Sequence, residues 1–501
     1  MELDYPYSNH MVLQRNKDII LSGASEEKEV RMTFLKKEYK VPVNDGRWQI
    51  SFKIEQPGGP YRMILTDDRD MIVLNDILVG DVYLAAGQSN MELEMRESKE
   101  KKLPLYRSNV RIMTVPKYIY PFEDDNQRWK ELNEETVSSF SAVASFFSYY
   151  LDEDIPIGII SNNKGGTSAS CWIEEEVLKK NNVLKENVYD PYYDDLPSLD
   201  IQKEETEKYY NVFNNYQKEL KECINTHPDM TLSQIKNIVG HTPWPPPKGY
   251  YDYRRPGSLY EHMFKCTLDY PVKAVLWYQG EEDSPQYMYY SELLKTLIQS
   301  WRRAYHEDFP FFIIQLPEYK NSHFDEIRRV QRDVVRSIKD TYLVTTLKTG
   351  DPDYIHPASK EEVGKRLAYS VAHYLYEKNT PVTPILDEET LTYDQDMKEN
   401  DVHLIVDGHA CIGHIKNRKL IIPVQNYHML AYANDDNPKV EIESVEGIPA
   451  SPFRIEKWGC NEEIVFTTTL SATALFRIFP PNKVIHYCMV NNLFVFQTHL
   501  K

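Results

Sequence analysis

Between residues 76 and 380, short apolar runs at 82–86, 110–115, 157–161, 274–278, 311–316 and 342–346 alternate with helical segments. That alternation leaves few folds open. Parallel strands need long crossovers, and the crossover helices must cover both faces of the sheet they connect. Helices are predicted at 142–151, 291–305 and 360–376. The last places Val363, Leu367, Val371 and Leu375 on one face, and Ser359 with Glu362 has the spacing of a capping box. Residues 1–75 instead show alternating runs (30–35, 48–54, 61–65) with turn signals at Asn44-Asp45-Gly46 and Gly58-Gly59-Pro60, which predicts a small antiparallel β-domain. Alternation returns in 381–501, a C-terminal β-region in which 475–479 and 484–496 are apolar enough for strands. Residues 180–270 interrupt the α/β segment with a charged helix at 203–224 and the stiff stretch Trp244-Pro245-Pro246-Pro247. An insertion of that length usually shapes a site.

Charge narrows the partners. Lys plus Arg number 58 against 76 Asp plus Glu, a net charge of −18, which repels phosphate backbones and anionic lipid and so disfavours nucleic acid and membrane. Cys171, Cys223, Cys266, Cys411, Cys460 and Cys488 form no Cys-x-x-Cys pair, and the N-terminus has neither a basic nor an apolar leader region. The expectation is a cytoplasmic protein without disulfides, either monomer or homo-oligomer.

The chemistry starts at Gln88-Ser89-Asn90, directly after the apolar run ending in Ala85-Ala86-Gly87. A small polar residue at the carboxyl end of a buried parallel strand sits where open α/β sheets bind ligands, so Ser89 is a candidate nucleophile. The flanking Gly87-Gln88-Ser89-Asn90-Met91 is not the Gly-x-Ser-x-Gly elbow of α/β-hydrolases. A base is available in Gly350-Asp351-Pro352-Asp353-Tyr354-Ile355-His356-Pro357, after the last predicted strand. There Asp353 can fix the tautomer of His356 while the ring takes the serine proton. Asp351 and Glu281 remain alternatives for the acid. Oxyanion donors are offered by Lys164-Gly165-Gly166-Thr167 and by the side-chain amide of Gln279, each following a strand.

Together Gly87-Gln88-Ser89-Asn90-Met91-Glu92, Gly165-Gly166-Thr167 with Trp172, Trp277-Tyr278-Gln279-Gly280-Glu281 and Ile355-His356-Pro357 resemble the successive blocks of the SGNH-hydrolase superfamily. The sialate O-acetylesterase branch of carbohydrate acetylesterases is the most similar. His10-Met11-Val12-Leu13-Gln14-Arg15, Gly80-Asp81-Val82-Tyr83, the segment from Pro245 to Met263 and Gly447-Ile448-Pro449-Ala450-Ser451-Pro452-Phe453-Arg454 extend the resemblance over most of residues 8–455. It implies a flavodoxin-like three-layer sandwich flanked by β-domains, Ser89 as nucleophile and His356 as base. It also implies Ser89 N–H, Gly166 N–H and Gln279 as oxyanion donors; Glu281, in a plausible block beside them, is read as an accessory acid. No cofactor or metal is implied.

The expected substrate is an acetylated sugar. Trp172 and Tyr260 could stack on a ring, and Arg254 or Arg255 could bind a sialic acid carboxylate. If the arginines are instead structural, a neutral acetylated xylo- or manno-oligosaccharide competes. A non-catalytic carbohydrate-binding protein is the reading from another class. A metal enzyme on His403, His409, Cys411 and His414 lacks a recognisable ligand frame, and those residues read as strand positions.

Overall fold

The computed structural model describes residues 1–100, 106–120, 128–151, 153–194, 196–457, 464–466, 484–490 and 493–499. Strands at Met71–Gly87, Val110–Thr114, Ile157–Asn163, Ala274–Tyr278, Phe311–Ile314 and Thr341–Val344 realise all six apolar runs. All six are parallel. Met71–Gly87 lies between Ile157–Asn163 and Ala274–Tyr278, Val110–Thr114 follows on one side, and Phe311–Ile314 and Thr341–Val344 follow on the other. Every residue of the strands at 157–163, 274–278 and 311–314 is buried, so both faces of the sheet are covered. Helices Ala142–Tyr150 and Glu361–Tyr376 pack closely because Gly364 presents no side chain to Phe146. Tyr287–Ala304 and Phe324–Ser337 form a second pair.

The amino-terminal strands are antiparallel, Asp18–Ala24 with Arg47–Lys53 and Glu29–Phe34 with both Lys37–Pro42 and Gly58–Thr66. Gly58-Gly59-Pro60 opens the strand Gly58–Thr66 rather than forming a turn, and register shifts between Gly58 and Met63 absorb the irregularity. The 17-residue strand Met71–Gly87 serves both sheets. It pairs first with Gly58–Thr66 and Val12–Gln14, then with the central parallel strands. Asp81, midway along it, accepts hydrogen bonds from Gln14, Arg15, Lys273 and Tyr376.

These elements belong to one compact unit, Met1–Ile385 with Asp435–Ser451, and a second unit comprises Leu386–Asn434 with Pro452–Lys501. The second unit holds a seven-stranded antiparallel sheet and the strands Ile464–Phe466, Val484–Val490 and Leu493–His499. The predicted strand at 475–479 lies outside the described residues. His403, His409, Cys411 and His414 sit on the paired strands Asn400–Val406 and His409–Lys416. They do not converge on a common point, and His414 Nδ1 pairs with Asp401 at 2.9 Å. Among the described residues none of the helices is long and apolar enough to cross a membrane.

Candidate active site

Gly87 ends the central strand at φ +139, and a Cβ there would collide with the Tyr278 backbone of the neighbouring strand. That close approach lets the Gln88 N–H donate to the Tyr278 carbonyl (3.0 Å) and turns the chain directly into the short helix Ser89–Glu92. Ser89 therefore opens a helix at the point where the sheet's connections diverge to either side. From the other end of the sheet, the loop after Thr341–Val344 brings His356 back across it, and His356 Nε2 lies 2.8 Å from Ser89 Oγ. Burial, with the ammonium groups of Lys236 and Lys360, pushes the imidazolium down to about 3 against the opposing pull of Glu92. The ring is thus neutral and able to accept a proton at Nε2.

Asn90 holds this loop in place. Its Nδ2 donates to Glu281 Oε1 (2.6 Å) and to the Ile355 carbonyl (3.1 Å), while Lys360 Nζ donates to its Oδ1 (2.7 Å). All three side chains are buried. Burial pushes the Glu281 carboxyl up and pulls the Lys360 ammonium down to about 7. Glu281 therefore acts on the loop through Asn90 and makes no hydrogen bond to His356. The predicted capping box of the following helix is absent; Glu100 accepts hydrogen bonds from Ser359 Oγ and the Lys360 N–H in its stead.

Asp353 is not the partner of His356. Its side chain is 71% exposed and pairs with Lys320 at 3.2 Å, and Asp351 accepts the Asp353 N–H. Three residues of spacing allow the meeting, but the loop turns Asp353 outward, where water and a lysine solvate the charge. Among the described residues Ser89 is the one hydrogen-bond partner of His356. Asp353→Asn is accordingly expected to change kcat/KM for an acetate ester by less than about threefold, whereas losing the acid of a working triad costs roughly 10⁴-fold. A steady-state comparison of the two proteins decides between these.

Lys164-Gly165-Gly166-Thr167 packs against the serine, a Cβ on Gly165 falling 3.3 Å from Ser89 Cβ. The N–H groups of Ser89 and Gly166 have no acceptor among the described residues. Gly166, at φ +65, also lies beneath the Trp244 ring, with which a Cβ would collide. Gln279 departs from the expectation. Its Nε2 donates to the Thr167 carbonyl (3.1 Å) and to Asp283 (2.6 Å), and its Oε1 accepts from Tyr290, so the amide is spent on buried structure. The neighbouring Gln88 accepts the N–H groups of Gly280 and Glu282 and lines the cleft.

The cleft at Ser89 and His356 has a volume of about 880 Å³. One wall comes from the insertion, in which Leu199–Thr226 and Leu232–Val239 pack through Tyr216, Leu220, Cys223 and Ile235. Tyr209, Phe213 and Lys236 face the cleft from these helices, with Trp244 and Tyr354 exposed beside them.

None of the four predicted sugar contacts lines the cleft. Trp172 is buried, donates to Thr167 and packs edge-on against Trp277, and Tyr260 is buried against Phe264. Arg254 is held by Asp252 and the Pro246 carbonyl with its guanidinium 4.9 Å from the Trp244 ring. Arg255 lies over Tyr250 at 5.5 Å. Arg254 thus follows the structural alternative, its acid being Asp252 two residues away. The roles of Asn90, Lys360, Trp244 and Lys236 depend on contacts between distant segments, which no local pattern reports.

With this geometry in view, the similarity to known proteins carries weight. The family profile "Carbohydrate esterase, sialic acid-specific acetylesterase" matches residues 248–373. Sialate O-acetylesterase of Mus musculus is 25% identical over 420 residues, covering 73% of this chain and 72% of that protein. The Homo sapiens protein of the same name is 22% identical over 395 residues, covering 69% and 64%. The chain is thus similar to sialate O-acetylesterases over about 70% of its length, and to the sialic acid-specific acetylesterase family over residues 248–373. Its fold is shared with a carbohydrate acetylesterase from Xanthomonas citri, at a TM-score of 0.70 and 21% identity over 91% of this chain and 99% of that one. The family match covers the loop carrying His356 and leaves Ser89 outside its limits.

Proposed function

We propose that this chain is a serine carbohydrate O-acetylesterase with the SGNH, flavodoxin-like arrangement of its site. The observation that carries the reading is the 2.8 Å contact between Ser89 Oγ and a neutral His356 Nε2 on the wall of a sugar-sized cleft. Ser89 attacks the acetyl carbonyl as His356 takes its proton, and the N–H groups of Ser89 and Gly166 receive the charge on the carbonyl oxygen. The protonated His356 then returns the proton to the departing sugar oxygen, leaving acetyl-serine. Water, deprotonated by His356, releases acetate and restores the hydroxyl. Ser89 and His356 work as a pair, with the ring placed by the Asn90-anchored loop. The test is acetate release from 9-O-acetylated sialic acid beside acetylated xylo- and manno-oligosaccharides; no release from any of them rejects the reading.

The state of His356 gives a separate prediction. Its folded value of about 3 lies below the ordinary histidine value of 6.5, so the folded ring stays neutral while an unfolded chain takes up a proton as the pH falls below 6.5. This group's contribution to stability therefore declines from pH 6.5 toward 3. An NMR titration is expected to show the His356 imidazole unprotonated from pH 7 to 4.5. A midpoint near 6.5 would show that Lys236, Lys360 and burial do not act on it as described.

A further inference from the structure

The cleft contains a half-buried cation with no acid in hydrogen-bond or ion-pair contact among the described residues. Lys236 projects from Leu232–Val239, beside Ile235, which anchors that helix to Leu199–Thr226. Its side chain lines the cleft that holds Ser89 and His356, and its ammonium makes no hydrogen bond or ion pair among the described residues. This is notable in a chain of net charge −18, with Glu94, Glu97 and Glu282 on the same cleft. Glu97 acts on it only through space, and burial holds the ammonium below its ordinary range. Desolvating a charge without a partner costs free energy, so such a group marks a place prepared for an anion.

The other cations near the site are committed or peripheral. Arg254 is clamped by Asp252, Arg96 pairs with Glu94, and Lys164 is buried 4.4 Å from the Tyr253 ring. Lys221 stands at the exposed rim. Lys164 is likewise desolvated and without an ion pair among the described residues, but its charge acts on Glu92, whereas that of Lys236 acts on His356.

We propose that Lys236 receives the carboxylate of an acidic acetylated sugar and so selects acidic over neutral substrates. This deepens the esterase reading above and rests on it. The shared chemistry is a sugar carboxylate, supplied by a sialic acid or by a uronic acid. A charge-assisted hydrogen bond of this kind is worth about 10- to 100-fold in binding.

The test compares wild type, Lys236→Met and Lys236→Arg on O-acetylated N-acetylneuraminic acid, an O-acetylated glucuronate and neutral acetylated xylo-oligosaccharides. Binding of unacetylated N-acetylneuraminate and glucuronate is measured by calorimetry alongside. The ratio of kcat/KM for acidic to neutral substrates is expected to fall at least about tenfold in Lys236→Met, through KM, and to survive in Lys236→Arg. The acidic substrate with the larger drop identifies the source. An unchanged ratio in Lys236→Met overturns the proposal, as does a loss confined to kcat, which would reduce Lys236 to an electrostatic neighbour of His356. If wild type hydrolyses nothing yet binds an acidic sugar in a Lys236-dependent way, the esterase reading fails and the carboxylate site stands.

Discussion

Ser89→Ala is expected to remove essentially all acetate release, a loss on the order of 10⁴- to 10⁶-fold. The size follows from the division of labour at the site. His356 has no other hydrogen-bond partner among the described residues, and the neighbouring amides can stabilise charge only after a nucleophile has attacked. The fold should not notice the change, because among the described residues the hydroxyl bonds only to His356 and closes no buried network. Circular dichroism and the melting temperature are therefore expected to match wild type. Residual turnover above roughly a tenth of the wild-type rate would place the nucleophile elsewhere and dissolve the argument built on this loop.

The second large effect is expected at Asn90, for the opposite reason. Asn90→Leu removes in one step the hydrogen-bond partner of the Glu281 carboxyl, that of the Lys360 ammonium, and the anchor of the Ile355 carbonyl. Among the described residues Glu281 Oε2 already lacks a hydrogen-bond partner, so the substitution removes the one side-chain donor to this buried carboxyl. Stranding buried charged groups costs about 3–5 kcal/mol. The expected outcome is a clearly lower denaturation midpoint together with a kcat reduced by roughly 10²-fold, since the released loop no longer holds His356 in reach of Ser89. Denaturant melts and steady-state kinetics on the same preparation check both halves. Unchanged kcat in a destabilised protein would mean that the loop is held from elsewhere.

Both predictions start from a tripeptide that sequence alone had singled out, and the reason is physical. Residues 82–86 are apolar enough to be buried on both sides, and a polar residue after such a run has to emerge at the sheet's edge. The same logic located His356, and the six apolar runs became six parallel strands. Position could be read; orientation could not. Gln88 and Gln279 both follow strands, and only their partners reveal that the amide of Gln279 is consumed by Thr167 and Asp283. Asp353 has suitable spacing to His356 but the wrong side of a loop. Glu100 displaced a local capping box by arriving from far along the chain. The insertion was visible as an interruption, yet which of its side chains face the serine depends on how two helices pack.

The strand Met71–Gly87 has a mechanical consequence. It begins among the amino-terminal hairpins and ends at the turn that presents Ser89, without a break in its backbone. A load applied to the first strands would travel along one continuous strand to the nucleophile, past the left-handed Asp76 (φ +54), with Arg15 and Lys273 gripping Asp81 partway. The amino-terminal strands are thus less an appendage than the mounting of the reactive residue, and a chain trimmed before residue 76 would lose the first five of the 17 residues of the beam on which Ser89 is carried.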